Sequence, residues 1–174
     1  MNHISMAPTP LSQNEFFQFG DILETENRDH FFINDGMCKR YDRLSDITVD
    51  NGVGSPSISI FRGKPYKLPL ELKLLERHPL GSQAFMPFHS DPFLVIVAED
   101  LNGTPSIPKA FFTNGRQGIN IHKNTWHGVL TPLIKECDFL VIDRVGPTHN
   151  LEEYILTQNI IIEPIPKNYL ITPE

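Results

Sequence analysis

Two histidine-bearing segments carry the residues best suited to chemistry: Glu76-Arg77-His78-Pro79-Leu80-Gly81-Ser82-Gln83-Ala84-Phe85 and Gln117-Gly118-Ile119-Asn120-Ile121-His122-Lys123-Asn124-Thr125-Trp126-His127. An imidazole offers a nitrogen lone pair to a divalent ion, and the same lone pair takes up or releases a proton near neutral pH. His78 and His127 are therefore read as ligands or as acid and base, with the amide of Gln83 as a third and weaker ligand. A neutral amide brings no charge to a hard cation, so His78, Gln83 and His127 are expected to hold nickel, zinc or manganese only weakly. The plainer reading makes His127 an interior histidine bonded to a neighbouring backbone carbonyl. His89 and His122 sit in more polar company and read as surface residues.

Arg77 and Arg144 each close an apolar run and follow an acidic neighbour, in Leu74-Leu75-Glu76-Arg77 and Val141-Ile142-Asp143-Arg144. A guanidinium held at a strand end can present a fork to a ligand carboxylate. It can equally form a structural pair at the rim, which is the expectation for Arg144. Lys123, in the turn before Trp126, is an alternative base if burial lowers its pKa, although an exposed turn lysine is the commoner case.

These residues must be positioned by strands. Two-residue alternation recurs in Ser57-Ile58-Ser59-Ile60-Phe61 and Leu70-Glu71-Leu72-Lys73-Leu74, the mark of half-buried strands. Short apolar runs at Phe93 to Ala98, Ala110 to Phe112 and Phe139 to Ile142 predict fully buried strands, and Ile155 to Glu163 a last one. Asp50-Asn51-Gly52, Asp100-Leu101-Asn102-Gly103, Asn114-Gly115 and Val145-Gly146-Pro147 supply turns between them. The one helical signal is Ser12-Gln13-Asn14-Glu15, with capping-box spacing ahead of Phe16, Phe17 and Phe19 and with Gly20 placed to stop the helix. Many short strands after one short helix predict an all-β barrel or sandwich.

At 174 residues the chain is expected to form one domain, with a core over about 12–163 and a tail over 164–174. A net charge of −6 without a basic block argues against a nucleic-acid or anionic-membrane surface. The longest apolar run, Phe93 to Ala98, is too short to cross a bilayer, and Met1 to Pro10 has no secretory pattern, so a soluble cytoplasmic protein is expected. Cys38 and Cys137 lie far apart without metal-site spacing and read as buried, reduced thiols.

The ordered set Phe19-Gly20-Asp21, Asn34-x-Gly36, Arg40-Tyr41, Leu75 to Phe85, Gln117 to Asn120, Thr125-Trp126-His127 and Phe139 to Arg144 resembles the ureidoglycolate lyase family. The resemblance covers roughly Phe19 to Glu153 and implies a cupin-like β-barrel, usually a homodimer. It also implies cleavage of ureidoglycolate to glyoxylate and urea in purine (allantoin) nitrogen recovery, with a nickel dependence and no organic cofactor. Carried onto this chain, His127 becomes the leading base or metal ligand, and His78 its fellow ligand or the acid. Ser82, Gln83 and Asn120 would orient the substrate, with Arg77 a further anchor and Lys123 an alternative base. Gly128, where many family members have a second His after Trp-His, and Ile121, where an aromatic is common, depart from the pattern. Those departures keep two other readings in view: a non-catalytic cupin that binds a small organic acid, and a metal-dependent isomerase or hydrolase of another carboxylic acid.

Overall fold

A computed structural model describes residues 3–50, 53–166 and 169. The Asn51-Gly52 part of one expected turn and most of the expected tail lie outside the described residues. The fold is all-β and cupin-like, two sheets packed face to face with their inner faces forming the main core. The larger sheet runs, in spatial order, through Ile4–Met6, Glu152–Ile162, Leu70–Arg77, Trp126–His127, Phe93–Ala98, Lys109–Phe112 and Thr9–Pro10, with Thr131–Pro132 also paired to Phe93–Ala98. The smaller one runs through Gly20–Leu23, Gly118–Ile121, Gln83–Pro87, Cys137–Val145 and Ser55–Gly63.

The apolar run Phe93–Ala98 is buried along its whole length because it has a core on each side. Phe93, Val95 and Val97 point between the sheets, against Phe85, Ile119, Phe139 and Val141. Leu94, Ile96 and Ala98 point the other way, onto Leu75, Trp126, Ile160 and Ile162. Each large apolar side chain so buried contributes about 1.5–3 kcal/mol, so this strand is the fixed frame of the larger sheet. Ser55–Gly63 keeps the alternation expected of a half-buried edge strand, and at the Asp100–Leu101 to Thr104–Pro105 hairpin Asn102 and Gly103 take positive φ, as the turn signal requires.

Two local expectations are corrected. The helix is a single turn, Gln13–Phe16, and Gly20 begins a strand instead of capping it. Ser12 occupies the N-cap position, but its hydroxyl turns to the Glu15 carboxylate at 3.4 Å instead of a backbone N–H. Gly20 is needed for a close approach: a Cβ there would fall 2.3 Å from the Asn120 carbonyl oxygen. Cys137 is buried, whereas Cys38 is exposed, because it lies on the small Phe31–Ile33 to Cys38–Arg40 hairpin, which pairs with neither main sheet. No described helix is long and apolar enough to cross a membrane.

Candidate active site

Side chains alternate across a strand, so Glu76 and His78, two residues apart at the end of Leu70–Arg77, share one face. The antiparallel register places His127 directly opposite Glu76, and on its other side opposite the core residue Val97. Pairing therefore brings together two segments some fifty positions apart. Glu76, His78 and His127 each present a donor atom within 4.8 Å of the others, and the two imidazole centroids are 5.3 Å apart.

Hydrogen bonds fix which nitrogen each histidine offers. His78 Nδ1 lies 2.7 Å from the Asn150 carbonyl oxygen and His127 Nδ1 lies 3.0 Å from that of Gly128. A carbonyl only accepts, so Nδ1 carries the proton in both rings, and in the neutral form Nε2 keeps a lone pair. Both Nε2 atoms are buried without a partner among the described residues, and so is Gln83 Oε1. Burial holds His127 neutral, its pKa pushed down to about 4, with the nearby His78 acting in the same direction and the Gly128 carbonyl against it. Burial raises the Glu76 carboxyl, which Glu153 reinforces and His78 opposes. Two imidazoles and a carboxylate are a donor set that fits nickel or another borderline divalent ion.

The cluster borders two cavities. One, of about 390 Å³, is lined by Glu76, Gln83, Phe61, Phe85, Val129 and Leu130 among others. The second, of about 520 Å³, is lined by His78, Ser82 and the stretch from Asp143 to Leu151.

The remaining expected site residues are more dispersed. Ser82 borders the second cavity, but its hydroxyl accepts the Thr48 N–H at 2.9 Å. Asn120 alternates with the core residues Ile119 and Ile121 and so projects away from them. Its amide donates to Ser45 Oγ at 2.7 Å and to the Asp46 carbonyl at 2.9 Å, pinning the loop that also meets Ser82. Arg77 faces the opposite side of the sheet from Glu76, stacked 4.3 Å over Trp126 and paired with Asp100 and Glu152. Lys123 is exposed in its turn, 3.9 Å from Asp50. His122 is half-buried against Asp21 at 3.1 Å, and half-buried His89 packs edge-on against Phe139.

Two contributors went unread in the sequence. Glu76 supplies the carboxylate that Gln83 lacks, and the Glu-x-His spacing at a strand end was the signal for it. Asn150 holds His78 through its carbonyl and the following turn through its side chain, which accepts the Leu80 N–H at 2.7 Å.

A sequence profile described as ureidoglycolate lyase matches residues 3–163. The chain belongs to the ureidoglycolate lyase family. A relative from Chelativorans sp. (strain BNC1), named ureidoglycolate lyase, is 50% identical over 149 residues, covering 86% of this chain and 90% of its own. One from Rhizobium meliloti (strain 1021), named ureidoglycolate lyase 2, is 47% identical over 160 residues, covering 92% and 98%. A third, ureidoglycolate lyase of Pseudomonas paraeruginosa (strain DSM 24068 / PA7), is 42% identical over 159 residues, covering 89% and 94%. Ureidoglycolate lyase family membership thus spans both histidine segments and the strands that bring them together.

Proposed function

We infer that this protein is a ureidoglycolate lyase, cleaving ureidoglycolate to glyoxylate and urea. The observation that carries the reading, beside the family, is the convergence of Glu76, His78 and His127, whose donor atoms lie within 4.8 Å of one another, with both histidine Nε2 atoms unpartnered. Ureidoglycolate is a carbinolamide: loss of its hydroxyl proton lets a carbonyl form as the carbon–nitrogen bond breaks, and the departing urea nitrogen takes up a proton. A positioned proton carrier suffices for both transfers.

The site residues divide by their protonation. An imidazole whose pKa sits at about 4 is a poor base at neutral pH but a ready lone-pair donor, so His127 serves as a ligand together with His78. Glu76, raised by burial, is better matched to accept the hydroxyl proton and return it to the nitrogen. Gln83, whose Oε1 has no partner, is placed to accept an N–H of the ureido group. A nickel or other divalent ion would take the Glu76 carboxylate as a ligand together with His78 and His127, in place of its role as base, and would act as a Lewis acid toward the substrate's oxygen. Ser82 and Asn120 support the reaction by fixing the 45–48 loop, and Lys123 and Arg77 act outside the site.

The same reading makes the protein a cytoplasmic homodimer working in allantoin degradation. Two unpaired thiols suit a reducing compartment. The outer face of the smaller sheet offers a second copy an apolar surface, where Ile58 and Ile60, 71% and 63% exposed, lie opposite Ile142 and Leu140 on the next strand. Light scattering on a sizing column is expected to give twice the monomer mass. Activity is tested by following glyoxylate from racemic ureidoglycolate, with and without added nickel. Release above the spontaneous rate is expected, and its absence in both conditions contradicts the assignment.

A further inference from the structure

The cavity beside His78 holds a second feature that the proton chemistry leaves unused. Arg144 is only 7% exposed, enclosed by three glycines far apart in the sequence. A Cβ at Gly54 would fall 2.3 Å from its Nε, one at Gly81 2.8 Å from its Cβ, and one at Gly146 2.9 Å from its Nη2. The guanidinium donates from Nη1 to the Thr148 carbonyl at 3.2 Å, and from Nη2 to Thr148 Oγ1 at 2.6 Å and the Val53 carbonyl at 3.4 Å. Its Nε is buried with no partner.

Every one of these partners is neutral, and Arg144 forms no ion pair among the described residues. Asp143, its chain neighbour, also borders the cavity but follows the opposite face of the strand. The other cations near the cluster are already committed: Arg62 to Asp138, Arg77 to Asp100 and Glu152, Lys123 to Asp50. A buried full charge is costly unless an anion compensates it. Here the cavity leaves that place to a ligand.

We propose that Arg144 is the anchor for the substrate's carboxylate, the group that ureidoglycolate and glyoxylate share. Thr148 and the Val53 carbonyl take both Nη2 protons and one of the Nη1 protons, so a carboxylate meets the charge through the remaining Nη1 N–H, which the glycine cradle and Thr148 hold in place. A carboxylate seated there shares its cavity with His78. The inference rests on the lyase reading and adds to it the residue that selects for an α-carboxylate.

The test is steady-state kinetics of the wild type and Arg144→Lys on ureidoglycolate, with circular dichroism to confirm the fold. Lysine keeps a charge but loses the bonds to Thr148 and Val53 that hold the guanidinium in place, so KM is expected to rise about ten- to a hundredfold, the range for a lost hydrogen bond to a charged group, with kcat changed much less. Wild-type turnover with an unchanged KM in the variant overturns the anchor and leaves the lyase reading intact. No wild-type turnover overturns the lyase reading and the anchor with it. Should the variant fail to fold, nitrogen-15 spectra of wild-type arginine side chains during a glyoxylate titration decide the matter. A buried guanidinium resonance that moves with glyoxylate and not with urea supports the anchor, and guanidinium resonances that stay still at saturating glyoxylate refute it.

Discussion

Replacing Asn150 with alanine separates the scaffold of the site from its chemistry. The side chain accepts the Leu80 N–H at 2.7 Å in a half-buried setting, while its own carbonyl accepts the His78 Nδ1 proton at 2.7 Å. The substitution leaves the Leu80 N–H without a partner, at a cost of about 1–2 kcal/mol. For a domain of this size that is a melting temperature lower by roughly 2–8 °C. The carbonyl survives the substitution but is no longer held from both sides, so His78 loses its fixed ring orientation. Loosening such an outer partner of a ligand typically weakens metal affinity or activity by about ten- to a hundredfold. Asn150→Asp keeps an acceptor oxygen for Leu80 and is expected to recover most of both losses. Thermal unfolding monitored by circular dichroism gives the first quantity, and glyoxylate release at saturating nickel gives the second. If the alanine variant loses stability but keeps full activity, or if aspartate is as impaired as alanine, Asn150 does not position His78 and the reasoning fails.

Three further outcomes follow from particular contacts. In metal-stripped protein His127 takes its proton only near pH 4 when folded but near the ordinary imidazole value, about 6.5, when unfolded. Below that value the unfolded chain therefore binds the extra proton, and stability falls with pH by roughly 3 kcal/mol in all before levelling off at the folded pKa. Glu76, raised by burial, works in the opposite sense at the acid end. Urea unfolding from pH 7 to 4.5 should show this slope, and His127→Asn should remove it; parallel profiles would speak against a buried neutral His127. Gly20→Ala drives a methyl to within 2.3 Å of the Asn120 carbonyl oxygen and 2.8 Å of Phe16 Cε1, so a loss of about 1–3 kcal/mol is expected in denaturant unfolding, and an unchanged midpoint would contradict the close approach. Of the two thiols, Cys38 should react with a thiol reagent in the native protein and Cys137, buried and with its pKa raised chiefly by burial, only after unfolding; two native thiols reacting alike would count against that burial.

The strands were readable because apolar alternation and turn residues coincide: Phe93–Ala98 is the continuous run in the sequence, and Asn102-Gly103 is the turn it spells. His78 and His127 were readable as candidates from their residue type and the family motifs, and strand pairing brings their rings to 5.3 Å. Glu76 is harder to read because the alternation breaks before it: Leu72 and Leu75, three apart, pack in one cluster with Trp126, while Glu76 lies opposite His127. Other roles depend on contacts without local pattern. Asn120 and Ser82 are claimed by the 45–48 loop, which carries no motif of its own. Arg144 is buried by glycines from three separate loops, and nothing near it in the chain announces that enclosure. Cys38 reads as a core thiol, yet it is exposed on a hairpin that pairs with neither main sheet.

The lyase reading places a metal-accepting centre at Glu76, His78 and His127. The most direct measurement is an anomalous difference map from nickel-soaked crystals, recorded at the nickel absorption edge. One strong peak bounded by the Glu76 carboxylate and a ring nitrogen of each histidine is expected. A peak held by other residues, or none at saturating nickel, would contradict it.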